Sequence, residues 1–533
     1  MMKRVIVLCL IVFVCVIGGV YSLWPKNRTD VETSSGGQQI AIALEDNPTS
    51  MDPIAGSLDV NSYPLVVAGH APLSLVDGNG ELIMVIAESI EVSDDGLRCD
   101  IAMNPGARFW DGSPVNAADV KYSFERVWQS QHPHRWVLQR IRGAGTDQEN
   151  STGLSGIEVL DDHHLAIHFD LPDPDFPFFI STSLTSVIKA GTDSGKEMPL
   201  DQGIIGCGPF RPASLTLGDE FVFIRNEGFT KPSRAESLVL RVIDNPQQRL
   251  QAFHDGQVDL IRLRGPMIAE AAQLTKNGLE PIRRFQGAQI VRRPANELTF
   301  VVFNWKSSKL STIPIEQRQA VLAAASVAWP RQEIAERFYL GAARPVYGVV
   351  PPIATVKTHP PLTASDVSPS LPNSFSLLTP NDPDSRRLAS AIRTQLVNTG
   401  WSIKVQNRDL NQLVGQLLEG DYTASVFWIE QAIPAGPIPW MMFFDPKGSF
   451  VKLGQPIEGV GAAIEQARSI LDPTQRSLRY QAVVDKVNQE QTAFLPLLSR
   501  EVVLMKRPNI QGVFLDQNGV LYFTFLTVAG EDQ

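Results

Sequence analysis

The chain has 533 residues, more than the roughly 250 to 300 that one hydrophobic core organises, so two or three lobes are expected. With 43% apolar and 20% charged residues it reads as an ordinary globular protein, neither a disordered chain nor a polytopic membrane protein. A formal net charge of −10 gives a nucleic-acid backbone little to attract it, and no nucleic-acid partner is expected.

Met1, Met2, Lys3 and Arg4 precede an uncharged run over residues 5–24. A positive start leading into about 20 apolar residues is an export signal and is long enough to span a bilayer. Val20-Tyr21-Ser22 offers a small residue for cleavage, yet the run exceeds an ordinary signal-peptide core. Residues 1–24 therefore read as a signal peptide or as an uncleaved membrane anchor. Cys15 lacks the small residue that normally precedes a lipidated cysteine and reads as an apolar filler. Residues 25–37 are polar with Ser and Gly, a flexible tether, and the folded body begins near Gln38. Cleavage would leave Cys99 and Cys207 in an oxidising compartment, where a disulfide and two separate buried thiols both stay open.

Along the body, residues 39–44 form an apolar strand, followed by a polar, proline-bounded turn over 45–53. Leu97, Cys99, Ile101 and Met103 alternate as a strand ending at the turn Asn104-Pro105-Gly106. Asn116 caps a helix with Asp119 in its first turn and Val120, Phe124, Val127 and Trp128 on one face. Leu165, Ile167 and Phe169 make another half-buried strand. Residues 221–224 and 237–243 favour strands, 247–254 a helix closed by Asp255-Gly256, and 258–261 a strand. A helix feeding a sheet makes the middle of the chain α/β. Residues 345–372 are proline-rich and aperiodic, a long extended surface segment. Helical spacing returns in Val321, Ala324, Ala325 and Ala328, and in Leu410, Leu413, Val414 and Leu417. Asp472-Pro473-Thr474-Gln475 supplies an N-cap, a first-turn proline and a third-position glutamine to a helix continuing through Tyr480, Val483, Val484 and Val487.

No nucleophile elbow, complete dinucleotide fingerprint, phosphate loop or zinc helix occurs in the sequence. The fragment at residues 191–196 has Glu197 where a phosphate loop needs Ser or Thr, and reads as a surface loop. His132, His134, His163, His164 and His168 read as solvated turn histidines rather than metal ligands, since for His164 and His168 the residues Leu165, Ile167 and Phe169 say strand where a ligand pair needs a helix. Asp94-Asp95 and Asp161-Asp162 read as turn chemistry rather than acid–base pairs. The expectation is no catalytic residue, no metal and no cofactor, hence not an enzyme.

Three stretches carry a familiar order: NPTSMDP at 47–53, a 40-residue block at 87–126, and IIGCGPF at 204–210. Within the block, Pro105-Gly106, Phe109, Asp111-Gly112, Ala117 and Asp119-Val120 fit one pattern residue by residue. The series resembles the family 5 extracellular solute-binding proteins, the oligopeptide, dipeptide and nickel receptors of ABC importers. It continues through Arg225-Asn226, FHDGQVDLI at 253–261, FVVFNW at 300–305, Arg318-Gln319-Ala320 and residues 473–496, almost the whole body. The resemblance implies an α/β two-lobe periplasmic-binding-protein clamp with an extra subdomain, its mixed sheets flanked by helices. Lobe I would take residues 38–60, 185–295 and 493–533, an inserted subdomain 61–184, and lobe II 296–492. It further implies binding without chemistry: an exported monomer, in the periplasm or cell envelope, encloses a peptide or similar small solute and delivers it to a membrane permease. The N-terminal segment would be its membrane contact if uncleaved. A membrane-anchored sensor or scaffold that kept the fold without a transport role is the alternative, motivated by the long 5–24 run and an altered 428–432 segment.

Peptide-binding members of that family hold the ligand amine with an aspartate three residues after a tryptophan. Trp428 matches the tryptophan, the aspartate position is Gln431, and Glu430 is the nearest carboxylate. A one-residue shift on an extended backbone points a side chain to the opposite face. Trp428 and Trp440 stack on a ligand or fill core space. Asn304 and Trp305 follow an apolar strand at a cleft edge, or Trp305 packs beneath a loop. Ser50 offers hydrogen bonds from the 47–52 loop near the hinge, or belongs to a structural turn. Phe109, Trp110 and Asp111 are expected to be packing and turn residues.

Overall fold

Strands whose neighbouring side chains are all apolar must be covered on both faces, and that requirement organises this molecule. The computed structural model describes residues 38–57, 59–130, 132–145, 153–192, 203–216, 218, 220–329, 331–352, 374–397, 402–448, 450 and 452–529. In chain order, the elements that frame the site begin with strands β1 (Gln39–Leu44), β2 (Ala87–Val92) and β3 (Arg98–Met103), and helix α1 (Ala117–Gln129). Strands β4 (Ile157–Val159), β5 (His164–His168), β6 (Phe210–Leu215), β7 (Glu220–Arg225) and β8 (Ser237–Val242) follow, then α2 (Pro246–His254) and β9 (Leu260–Leu263). Next come β10 (Gln289–Pro294), β11 (Glu297–Phe303), α3 (Ile315–Ala328), α4 (Arg331–Tyr339), β12 (Ala343–Pro345), β13 (Ser374–Pro380), α5 (Pro383–Val397) and β14 (Ser402–Arg408). The last are α6 (Leu410–Glu419), β15 (Ala424–Glu430), α7 (Ile438–Met441), α8 (Val460–Arg468), α9 (Pro473–Glu490) and β16 (Phe494–Lys506).

A 12-stranded mixed sheet runs in the order β14-β13-β15-β11-β16-β9-β1-β8-β7-β6, with β10 and β12 also pairing with β16. The 13-residue β16 is its spine: Phe494 and Leu495 face Val302 and Val301 of β11, while Met505 faces Ile261 of β9 and Ile290 of β10. Two apolar cores lie on the two sides of this sheet. Ile40, Ile42 and Leu44 of β1 enter one and Ala41 and Ala43 the other; in β11, Phe300 and Val302 oppose Val301 and Phe303 in the same way. A separate four-stranded sheet, β2-β3-β5-β4, is covered by the amphipathic α1.

The local signals in the sequence act as expected. Asn116 accepts from the backbone N–H groups of Ala118 and Asp119, and the Asp119 carboxylate accepts from the Asn116 N–H, a reciprocal cap of about 1 kcal/mol. Asp472 accepts from the Gln475 N–H ahead of α9, whose Tyr480, Val483, Val484 and Val487 are buried. Helix α2 begins one residue earlier than the 247 start expected, because Asn245 caps it and Pro246 takes the first position. Gly256 then turns the chain at φ +81°. The last strand of that unit starts at Leu260 rather than 258, and just ahead of it the Asp259 carboxylate accepts from the Ala41 N–H at 2.8 Å. Cys99 and Cys207 are two separate buried thiols. Phe109 is buried, and Asp111 closes its own turn on the Ser113 N–H and pairs with Lys189. Residues 1–37, most of the 345–372 segment and part of 191–196 fall outside the described residues. Among the described residues no helix is long and apolar enough to cross a membrane.

Candidate ligand-binding cleft

Three strands from distant parts of the chain meet at one crevice, where β9 and β15 end and β16 passes through. On β15, Phe427 and Ile429 pack into the core shared with β1's isoleucines, so the period of two turns Trp428 and Glu430 to the opposite face. Arg262 on β9 and Arg264 just beyond it flank the buried Leu263, and Arg500 comes from the middle of β16. Two guanidiniums lie over the Trp428 ring, with the Arg264 carbon 5.9 Å and the Arg500 carbon 5.2 Å from its centroid. Arg262 donates through Nη2 to Glu430 at 3.2 and 3.4 Å. Arg500 donates to Asp384 at 2.9 Å and to Glu297 at 3.2 Å, while its backbone N–H donates to the second Glu297 oxygen at 2.7 Å. Arg264 pairs through Nε with Glu45 at 3.0 Å.

Electrostatics follow from that packing. Burial pushes the Glu430 carboxyl up, but the guanidiniums of Arg262, Arg264 and Arg500 outweigh it and hold it below the usual carboxylate range. Arg262 is lowered by burial and by its like-charged neighbour Arg264, against the pull of Glu430. Despite burial, Glu297 and Asp384 raise Arg500 well above its ordinary value. The crevice holds about 20 Å³ of free volume, room for about one water molecule, so a solute enters only when its walls part. A larger groove of about 440 Å³ lies elsewhere, beside Arg108, Trp110, Arg211 and Asn226, and contains none of the residues expected to bind ligand.

Of those expected residues, Glu430 lines the crevice, and Trp428 packs against the Arg264 and Arg500 guanidiniums that line it. Gln431 turns inward, 2% exposed, with its N–H donating to the Asn296 carbonyl. Trp440 is fully buried and donates through Nε1 to Asn296 at 2.8 Å; Asn296 in turn donates to Asn518, which donates to the Ala432 carbonyl. This chain of amides closes the wall behind residue 431. Trp305 is buried, donating to the Thr492 carbonyl at 2.7 Å beneath the Arg318 guanidinium. Asn304 donates to the Gly420 and Tyr422 carbonyls and accepts from the Lys306 N–H, tying its own loop to the turn between α6 and β15. Ser50 is buried in a turn, accepting from the Asp52 N–H and donating its own N–H to Ser62. Among the described residues no group of three His, Cys, Asp or Glu is arranged to hold a metal ion; His164 pairs with Asp161 at its turn, but His132 is buried against Ser57 rather than solvated.

Sequence reasoning missed Arg262, Arg264, Arg500 and Glu297. A signal was present in LIRLRGP at 260–266, where arginines alternate with leucines at the end of an otherwise apolar strand.

Residues 81–450 match the model of the bacterial extracellular solute-binding proteins, family 5, middle part. The glutathione-binding protein GsiB of Escherichia coli strain K12 is 22% identical over 504 residues, covering 90% of this chain and 92% of that protein. Among solved structures, the murein tripeptide binding protein MppA of Escherichia coli superposes with a TM-score of 0.77 at 17% identity, over 93% of this chain and 99% of that one. The Haemophilus influenzae OppA complexed with RPPGFSPFR gives a TM-score of 0.76 at 16% identity over the same shares. The fold is therefore that of these binding proteins, mixed sheets flanked by helices, and the chain belongs to the bacterial extracellular solute-binding proteins of family 5.

Proposed function

We propose that this protein is the extracytoplasmic substrate-binding component of an ABC importer, taking a peptide or similar small solute into the crevice at Trp428 and handing it to a membrane permease. The observation that carries the reading is the convergence of Arg262, Arg264, Arg500 and Glu430 on one crevice, two of the guanidiniums against the Trp428 ring, from three strands drawn from distant parts of the chain. Relatives named for glutathione, murein tripeptide and a nonapeptide ligand support a solute of that size. Lobe I is residues 38–60, 185–295 and 493–533, the inserted subdomain 61–184, and lobe II 296–492. The chain crosses between lobes where β10 passes into β11 at Ala295 and Asn296, and again where α9 passes into β16. Trp428 and Glu430 contact solute with the three arginines and Gln431 and Trp440 shape the wall behind them, while Asn304 and Trp305 secure the far end of β11 and Ser50 its own turn.

Solute draws an open form toward a closed one by its differential affinity for the closed form, which is what a permease recognises. In this reading no bond of the solute is made or broken. The protein acts as a periplasmic monomer, with residues 1–24 as leader or anchor. Its test is native purification of the full chain, identification of any co-purifying molecule by mass spectrometry, and thermal unfolding with glutathione, tri-alanine and a nonapeptide. A bound solute at about 100 times its Kd adds about 2.7 kcal/mol. A folded protein that carries nothing and shifts with none of these probes rejects the reading. The sensor or scaffold alternative draws on Gln431, whose burial gives up the aspartate seat; ligand-dependent stimulation of a permease ATPase removes it.

A further inference from the structure

The cleft holds more hydrogen-bond donors than its own acceptors use. Each guanidinium carries five N–H donors in a rigid fork. Arg500 commits both terminal nitrogens to Asp384 and Glu297. Arg262 commits Nη2 alone, shared between the two Glu430 oxygens at 3.2 and 3.4 Å, the long end of hydrogen bonding. Arg264 is freer still: its Nε meets Glu45 at 3.0 Å without the alignment of a hydrogen bond, and among the described residues neither Nη has a partner.

Access separates Glu297 and Glu501 from the rest. The Arg262 and Arg264 side chains are 28% and 24% exposed and their partners Glu430 and Glu45 are 18% and 28% exposed, whereas Glu297 and Glu501 are 3% and 5% exposed and held by Arg500 and Arg292. Arg262 and Arg264 sit two positions apart at one strand end, and their mutual repulsion contributes to the lowering of Arg262. An anion between them relieves that repulsion and takes up the free donors in the bidentate geometry that guanidinium favours.

We infer that Arg262 and Arg264 form an anion seat in the cleft, and that the solute this protein carries bears a carboxylate clasped by the two guanidiniums beside Trp428. The inference rests on the solute-binding reading above and names the charge of its ligand. The two arginines are specificity-determining residues, and Glu430 beside them limits the seat to one anionic group at a time.

The experiment is calorimetric titration of the full-length, detergent-solubilised protein with four probes: tri-alanine, its C-terminal amide, glutathione and glutathione diethyl ester. The free acids are expected to bind at least about tenfold tighter than the amide and the ester, a gap that narrows as salt rises. Arg264→Gln and Arg262→Gln, checked for native circular dichroism, should each erase most of the gap, and Arg264→Lys should restore part of it. Equal affinity for acid and amide, or a gap that survives Arg264→Gln in a folded variant, overturns the anion seat while leaving solute binding intact. If none of the four probes binds the folded protein, both readings fall. Should Arg264→Gln fail to fold, Arg262→Gln and the salt dependence of the unaltered protein decide.

Discussion

Two arginine–carboxylate clusters divide the work of this molecule. At the seam between residues 136–179 and helices α8 and α9, Arg468 donates to Asp173 at 2.8 Å with side chains 1% and 0% exposed, stacked over Phe179 and Trp136. Arg140 reaches Glu465, and Arg476 reaches Asp175, across the same seam. At the crevice, Arg262 meets Glu430 at 3.2 Å with side chains 28% and 18% exposed, and Arg264 and Arg500 flank Trp428. Both clusters use the same parts: guanidinium, carboxylate and aromatic face. Depth separates them, because a sealed charge can only satisfy its neighbours, while a half-exposed one keeps donors for a visitor. By the boundaries proposed above, the sealed cluster also joins the inserted subdomain to lobe II.

The sharpest way to break this contrast is Arg468→Met. Removing one partner of a sealed pair strands the Asp173 carboxylate, and unfolding free energy should fall by about 3 to 5 kcal/mol in urea titration. Combining it with Asp173→Leu should recover much of that loss, since apolar packing replaces a buried pair cheaply. A single variant within about 0.5 kcal/mol of the parent, the range of a surface substitution, would show that the seam is wetter than its geometry says.

A sealed carboxylate with no cation in hydrogen-bonding contact tests the same idea by pH. Asp516, 1% exposed, accepts from the Asn518 and Val520 N–H groups, and burial pushes it up to about 7. Its folded pKa lies above its unfolded value of 3.8, so the folded state holds the proton more tightly. Between pH 3.8 and about 7 this group makes stability fall as pH rises, and the loss is complete above that window. Asp516→Asn, which keeps the acceptor without the charge, should leave stability near pH 4 unchanged. At pH 8 it should gain on the order of 2 to 4 kcal/mol over the parent. Parallel stability profiles for the two proteins would sink the assignment.

Trp440 carries the contrast to a neutral polar group. Trp440→Phe removes the indole donor and strands the buried Asn296 oxygen, an expected loss of about 1 to 3 kcal/mol in chemical denaturation with solute affinity unchanged. A loss of affinity with intact stability would return Trp440 to the ligand surface.

How much of this was legible in the sequence depended on how far each feature reaches along the chain. The Asn116 box, the Asp472 cap and the alternation of residues 39–44 are local, and the structure keeps them. Period-two spacing also separates Trp428 and Glu430 from Gln431, so the face was readable once β15 was placed. The fates of Trp305 and Trp440 were not, because an indole fills a core or a cleft with equal ease. Their hydrogen-bond partners, Thr492 and Asn296, lie 187 and 144 positions away. Arg262 stood out as a charge in an apolar strand, but its meaning comes from Glu430, 168 positions on.

The smallest effect is the most informative about the open cluster. Glu430→Gln removes the anion that holds Arg262 while keeping an acceptor of the same shape, and the residue's partial exposure keeps the stability change small. If Arg262 and Arg264 receive a carboxylate, removing their internal competitor should strengthen binding of glutathione a few-fold, by less than about 1.4 kcal/mol. Weakened binding would instead mean that Glu430 itself contacts the solute, through an ammonium group. A carboxylate competing with the ligand and one binding the ligand's amine predict opposite signs from one substitution, so the direction of the change, read by the same calorimetric titration, assigns the charge that faces the solute.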